Sequence, residues 1–339
     1  MGNCFTTQPS SLQLNMSDFK ELLLLNYTDY QDYDAAAAAP CHSSYCSLLG
    51  SSIPSFLAVI CALGLLSNLA LVVALVTCQN LWSGPPGRTF LFQLTLGTSL
   101  FTATLPFFSA GSSHGWVFGD GFCKVAFLVW YGSLFAEGLL VAASTCSAWL
   151  AKRVARQHFW GMTVALWVAS VLLAVPAAFM SRTEEHPQKM CLWKDNSEQQ
   201  WWSLAHVTTC LAVFILLPIA MGVAKAMLTW HRRGWQLRVG VTWLFFLLWV
   251  PYGIALLLDS LQRRQLLSTS CLFWESLDFF LGLSEGLGIL HCCLGPLLLL
   301  GVGLYHRRTD AGPGPLGMPG LGLASPQCSK PMSQAPQKA

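Results

Sequence analysis

The stretch CKVAFLVWYGSLFAEGLLVAASTCSAW, residues 123–149, carries only Lys124 and Glu137 as charges in an otherwise apolar run. It exceeds the roughly 20 residues that a helix needs to cross the hydrocarbon core of a bilayer. A basic cluster follows at Lys152, Arg153 and Arg156. Positive ends of membrane spans face the cytoplasm, so this reads as a transmembrane helix whose outer end is Cys123.

The whole chain has the composition such a helix requires. Of its 339 residues 54% are hydrophobic and only 10% charged. Soluble domains carry about 25% charged residues, so too few are present here to cover a water-facing surface. Further apolar spans are expected near Ser52–Val76, Thr89–Ala110, Gly161–Met180, Trp202–Thr229, Gln236–Leu258 and Phe273–Leu304, with the central one covering Phe122–Leu150. Helices are the form that closes backbone hydrogen bonding in hydrocarbon, so the expected fold is an all-α seven-transmembrane bundle. Pro106, Pro176, Pro218, Pro251 and Pro296 fall inside the spans. A proline in a helix interior costs about 3 kcal/mol in water, whereas a bundle re-satisfies the freed carbonyls and uses the bend as a hinge.

Charge fixes the orientation. With the amino terminus outside, the inner loops hold Arg88, then the Lys152 cluster, then Lys225, Arg232, Arg233 and Arg238, then Arg307 and Arg308. They hold no acid before Asp310. The outer segments hold Asp120, Glu184, Glu185, Asp195, Glu198 and Glu275, together with the acids of the amino-terminal tail. This is the positive-inside pattern.

Three regions are expected: an acidic, glycosylated outer tail at 1–51, the bundle at 52–305, and a short disordered cytoplasmic tail at 306–339. The first fifty residues show no signal peptide. They contain sequons at Asn15 and Asn26, and also a Met1-Gly2 myristoylation pattern; the orientation favours the sequons. The carboxyl-terminal segment is rich in Gly and Pro, including Gly312, Pro313, Gly314 and Pro315, and is too polar and flexible to build a core.

Thirteen cysteines are present. Cys61, Cys146, Cys210, Cys292 and Cys293 sit in apolar runs, where a thiol acts as a small hydrophobe. No Cys or His set has zinc spacing, so no metal is expected. No nucleophile–base pair stands out, so the chain does not read as an enzyme. No cofactor and no nucleic acid are implied. A transporter would show internal repeats or paired broken helices, and none is visible.

Several short motifs, taken in order along the spans, point to one family. Leu290-His291-Cys292-Cys293-Leu294-Gly295-Pro296, Trp249-Val250-Pro251-Tyr252 and Thr104-Leu105-Pro106-Phe107 resemble the seventh, sixth and second helices of chemokine receptors, within the rhodopsin-like receptors. Gly295 stands where Asn is usual. Asn68, Trp167 and Pro218 resemble the markers of the first, fourth and fifth helices. Met1-Gly2-Asn3-Cys4, Ala39-Pro40-Cys41-His42-Ser43, Val129-Trp130-Tyr131-Gly132-Ser133 and Cys210-Leu211-Ala212-Val213-Phe214 are similar to the atypical chemokine receptors of the Duffy antigen type.

The departures from the signalling pattern matter as much. The Asp-Arg-Tyr position reads Ser147-Ala148-Trp149. Thr98 stands where a sodium-binding Asp is usual, Leu299 replaces the Tyr of the last-helix motif, and Ala226 replaces a Tyr of the fifth helix. Activation needs a two-state element whose balance ligand can shift, and four polar parts of it are neutral or apolar here. The resemblance therefore implies a receptor that binds several chemokines and scavenges, internalises or transports them without G-protein coupling. The alternative is a conventional signalling receptor with degenerate motifs. The resemblance also implies the plasma membrane with recycling and early endosomes, and leaves room for homo- or hetero-oligomers with other receptors.

Chemokines are basic, so acidic residues are the expected contacts. Asp29, Tyr30, Asp32, Tyr33 and Asp34 interleave acid with tyrosine, a context that suits sulfation of Tyr30 or Tyr33 and steers a cation by long-range attraction. The bland reading of this run is an acidic spacer. Glu285 coincides with the family's ligand-contacting carboxylate in the seventh span, where an ionisable residue is costly unless it functions. The resemblance pairs Cys123 with Cys191 and Cys41 with Cys271, with Cys46 competing for the latter place. Glu137 has no clear counterpart; a carboxyl bonded within the bundle and a ligand contact both stay open. His291 reads as bonding a neighbouring helix, and Trp249 as either a rotamer switch or packing.

Overall fold

The computed structural model describes residues 45–78, 87–150, 156–186, 188–193, 200–229, 237–267 and 270–310. Seven of its helical segments are long and apolar enough to cross a membrane. The first four spans are α1 (Tyr45–Thr77), α2 (Arg88–His114), α3 (Gly119–Leu150) and α4 (Arg156–Met180). The fifth span is α5 (Gln200–Leu211) and α6 (Leu217–Thr229), joined by one π-helical turn at Ala212–Leu216. The sixth is α7 (Leu237–Arg263). The seventh is α8 (Cys271–Ile289) and α9 (His291–Asp310), broken at Leu290.

The third span is the axis of the bundle. Of its most apolar stretch 72% is buried, against 28% for the fourth and the fifth spans. Phe135, Leu134 and Val141 are fully enclosed. The outward faces of the other spans stay apolar and uncovered, with Leu66 65%, Leu172 63% and Leu247 70% exposed. Apolar side chains this open belong against lipid tails.

Polar bonds tie the helices at the positions that resembled family markers. Asn68 donates from Nδ2 to the Cys292 carbonyl at 3.0 Å and accepts from Thr98 Oγ1 at 2.7 Å, joining the first, second and seventh spans. Trp167 Nε1 donates to Gln93 Oε1 at 2.9 Å, joining the fourth to the second. In hydrocarbon such groups have no water to fall back on, so each must find a partner inside the bundle.

The π turn has a chemical cause. Pro218 has no N–H to give to the Phe214 carbonyl one turn earlier, so the ladder widens just before it. The extra turn presents Phe214 to the centre of the bundle, where it stacks on Trp249 with ring centroids 5.4 Å apart.

The helices differ from the expected spans mainly at their ends. The first helix begins at Tyr45, and the sixth continues past Leu258 to Arg263. Polar residues at a span end lower local hydropathy without breaking a helix, which is why the apolar pattern stopped short. The connection after the fourth span is an antiparallel hairpin of β1 (Ser181–His186) and β2 (Gln188–Trp193), in a register that sets Thr183 opposite Cys191. This hairpin is an addition to the expected all-α fold.

Candidate functional site at the outer mouth

The hairpin is fastened across the outer end of the bundle. Cys123, at the top of the third span, is disulfide-bonded to Cys191 of β2, as the resemblance implied. The Trp116 backbone N–H donates to the Lys189 carbonyl, and the Thr183 N–H donates to Asp120 Oδ1 at 3.1 Å. Asp120 also pairs with Lys124 at 3.1 Å. Trp116 is 1% exposed and donates from its ring to the Gly119 carbonyl at 2.9 Å. Gly115 and Gly119 adopt φ of 85° and 83°, a left-handed backbone that side chains disfavour, and so turn the chain tightly around this tryptophan.

Beneath the hairpin lies a cavity at the outer mouth of the bundle. Its roof is Cys191, Leu192 and Trp193. Its floor is Trp130, Tyr131 and Tyr252, and Glu285 stands in the wall. The two tyrosine hydroxyls are 2.9 Å apart and bridge the third and sixth spans. Glu285 is 8% exposed and lines the same cavity as both tyrosines. The expected ligand carboxylate thus lines the mouth.

Sequence reading missed three polar residues here. Asp259 and Arg263, on the last turn of the sixth span, line the same cavity and form a 2.8 Å ion pair. His206 packs edge-on against Tyr131 with centroids 4.4 Å apart. The signal for Asp259 is an acid directly after Leu258, where the apolar run ends. His206 gave no signal, because a lone histidine in an apolar run is more often packing than contact.

Glu137 does not reach this mouth. It is 1% exposed deep in the bundle, its Oε2 3.3 Å from His291 Nε2. His291 in turn meets Trp249 of the sixth span at 3.2 Å, so it does bond neighbouring helices. Among the described residues no three His, Cys, Asp or Glu side chains converge as metal ligands would.

Cys271 is disulfide-bonded, and its partner is not among the side chains described. Cys41, Asn15, Asn26, Asp29, Tyr30, Asp32, Tyr33 and Asp34 lie outside the described residues. Ser147, Ala148 and Trp149 lie on the inner end of the third helix, where side chains are not described. Cys61, Cys210, Cys292 and Cys293 are free thiols buried in the bundle, as small hydrophobes would be.

The chain is similar to known proteins over most of its length. Residues 67–299 match the family "7 transmembrane receptor (rhodopsin family)". The chain is 34% identical over 326 residues to "Atypical chemokine receptor 1" of Gorilla gorilla gorilla, covering 91% of this chain and 93% of the relative. It is 33% identical to the protein of that name from Bos taurus, covering 94% and 96%. Against the Homo sapiens protein it is 33% identical, covering 88% and 90%. A bundle with this helix pattern, this outer disulfide and this extent of similarity makes the chain a member of the rhodopsin family of seven-transmembrane receptors, in the atypical chemokine receptor family.

Proposed function

We propose that this receptor captures several basic chemokines at the cell surface and scavenges, internalises or transports them without activating G proteins. The observation that carries the reading is the acid-bearing outer cavity, with Glu285 and Asp259 beneath a hairpin clamped by the Cys123–Cys191 bond. A basic segment entering it would meet the Glu285 carboxyl in a low-dielectric wall, where attraction is stronger than in water, while Asp259 neutralises Arg263 of the same wall. The relatives carry chemokine receptor in their names, which supports the ligand class.

The amino-terminal tail supplies the first contact in this proposal. Asp29, Asp32 and Asp34, with sulfated Tyr30 or Tyr33, raise the rate of encounter. Glycans on Asn15 and Asn26 keep the tail outside. A Cys41–Cys271 bond holds it over the mouth and lowers the entropy cost of capture.

Silence toward G proteins follows from the inner end. Ser147-Ala148-Trp149 lacks the charged triplet. Leu299 is 3% exposed and packs where a hydroxyl would serve a signalling receptor. The receptor then resides in the plasma membrane and passes its cargo through early and recycling endosomes.

Binding of a labelled chemokine panel to intact cells expressing the chain, with loss from the medium followed over time, tests this. Broad binding with steady depletion is expected. Absence of binding to every member would overturn the ligand assignment.

A further inference from the structure

Below the outer cavity, Glu137, His291 and Trp249 meet in a geometry that the capture of a ligand does not explain. His291 Nδ1 lies 2.7 Å from the Gly288 carbonyl and 3.2 Å from Trp249 Nε1. One ring nitrogen cannot serve both. A carbonyl needs a proton on Nδ1, and the indole N–H needs a lone pair there. The other ring nitrogen, Nε2, points toward Glu137 Oε2 at 3.3 Å, within ion-pair range but off the line of a hydrogen bond. Glu137 Oε1 has no partner among the described residues.

The surrounding backbone is shaped to hold this arrangement. A Cβ on Gly97 would come 2.9 Å from the Glu137 side chain, and one on Gly288 would come 2.8 Å from the Trp249 ring. Both glycines therefore leave room for the groups concerned. A small cleft adjoins the pair, lined by Thr95 and Thr98 of the second span and Phe245 of the sixth. Asn68 of the first span and Phe214 of the fifth bring no charge to it. The other titratable neighbours are the thiols of Cys292 and Cys293 on the histidine's own helix.

We propose that Glu137 and His291 form a proton-binding site in the core of the bundle, and that its occupancy decides whether Trp249 is tethered to the seventh span. With one proton shared by the pair and Nδ1 bare, Nδ1 accepts from Trp249. A second proton, taken from water, makes the ring an imidazolium. Nδ1–H then donates to the Gly288 carbonyl, Nε2–H faces Glu137, and Trp249 loses its acceptor.

The indole is then held by packing alone, stacked on Phe214 and edge-on to Tyr252 with centroids 5.4 Å apart. Tyr252 bonds Tyr131 on the floor of the outer cavity, so loosening Trp249 reaches the ligand side. Acidification thus reshapes the outer mouth from within. This inference stands on the inner geometry and does not depend on which ligand the mouth takes.

The test is fluorine NMR of the full receptor carrying 5-fluorotryptophan, with the Trp249 signal identified by its loss in Trp249→Phe. The signal is expected to shift reversibly when the medium is acidified. It is expected to stay fixed in His291→Asn, and to respond to acid at a different pH in Glu137→Gln. A wild-type signal that does not move, or one that moves equally in His291→Asn, overturns the proposal. A shift driven by sodium at constant pH, with none driven by acid, also overturns it and assigns the site to a cation. Should His291→Asn not reach the membrane, the Glu137→Gln arm decides, and an unchanged titration there overturns the proposal.

Discussion

Arg263 donates from Nε to Asp259 Oδ2 at 2.8 Å, one helical turn back, and the pair borders the outer cavity. The Asp259 side chain is 5% exposed and the arginine 31%, so the acid is held inside while the cation reaches toward solvent. An arginine at the mouth would repel a basic ligand. Its partner cancels that charge.

Asp259→Asn should therefore uncover a repulsive cation and weaken chemokine binding about tenfold at low salt, with a smaller loss at high salt. Arg263→Ala should move affinity the other way. Radioligand competition at two ionic strengths checks both signs.

Glu285→Gln keeps the shape of the wall and removes its charge. The expected result is a loss of about 2 kcal/mol or more in chemokine affinity at unchanged surface expression, because a buried carboxylate paired with a basic group contributes on that scale. Equal affinity would remove Glu285 from the electrostatic contacts.

Little of this mouth was legible before the fold. The seven spans and their orientation follow from local properties, the apolar runs and the placement of Lys152, Arg153 and Arg156, so sequence carries them well. Glu285 and the Cys123–Cys191 bond came from resemblance to a family. Asp259 was passed over because the apolar pattern ends at Leu258 while the helix runs on to Arg263. The pairing of Glu137 with His291 depends on how two distant helices face one another, which no local pattern records. The hairpin at Ser181–Trp193 is short and polar, and its strands read as loop until the disulfide fixes one of them.

Gly288 offers a test of packing that is separate from ligand chemistry. A methyl there would press into the Trp249 ring at 2.8 Å, and overpacking in a filled core typically costs about 2 kcal/mol. Gly288→Ala should lower the unfolding temperature in a thermal-shift assay, and Gly295→Ala, with open space at its Cβ, should not.

The tail is predicted to act through charge. Tyr30→Phe combined with Tyr33→Phe should slow association and leave dissociation nearly unchanged, most visibly at low salt. Cys271→Ser should reduce binding while sparing surface expression if its disulfide positions the tail. Stopped-flow association and cell-surface staining separate the two effects.

The most direct test measures G-protein activation in cells where surface binding of a labelled chemokine has first been demonstrated. Bound chemokine with no receptor-dependent activation is expected, because Ser147-Ala148-Trp149 and Leu299 leave the inner face without its polar coupling groups. Robust, ligand-dependent activation through this chain would contradict it.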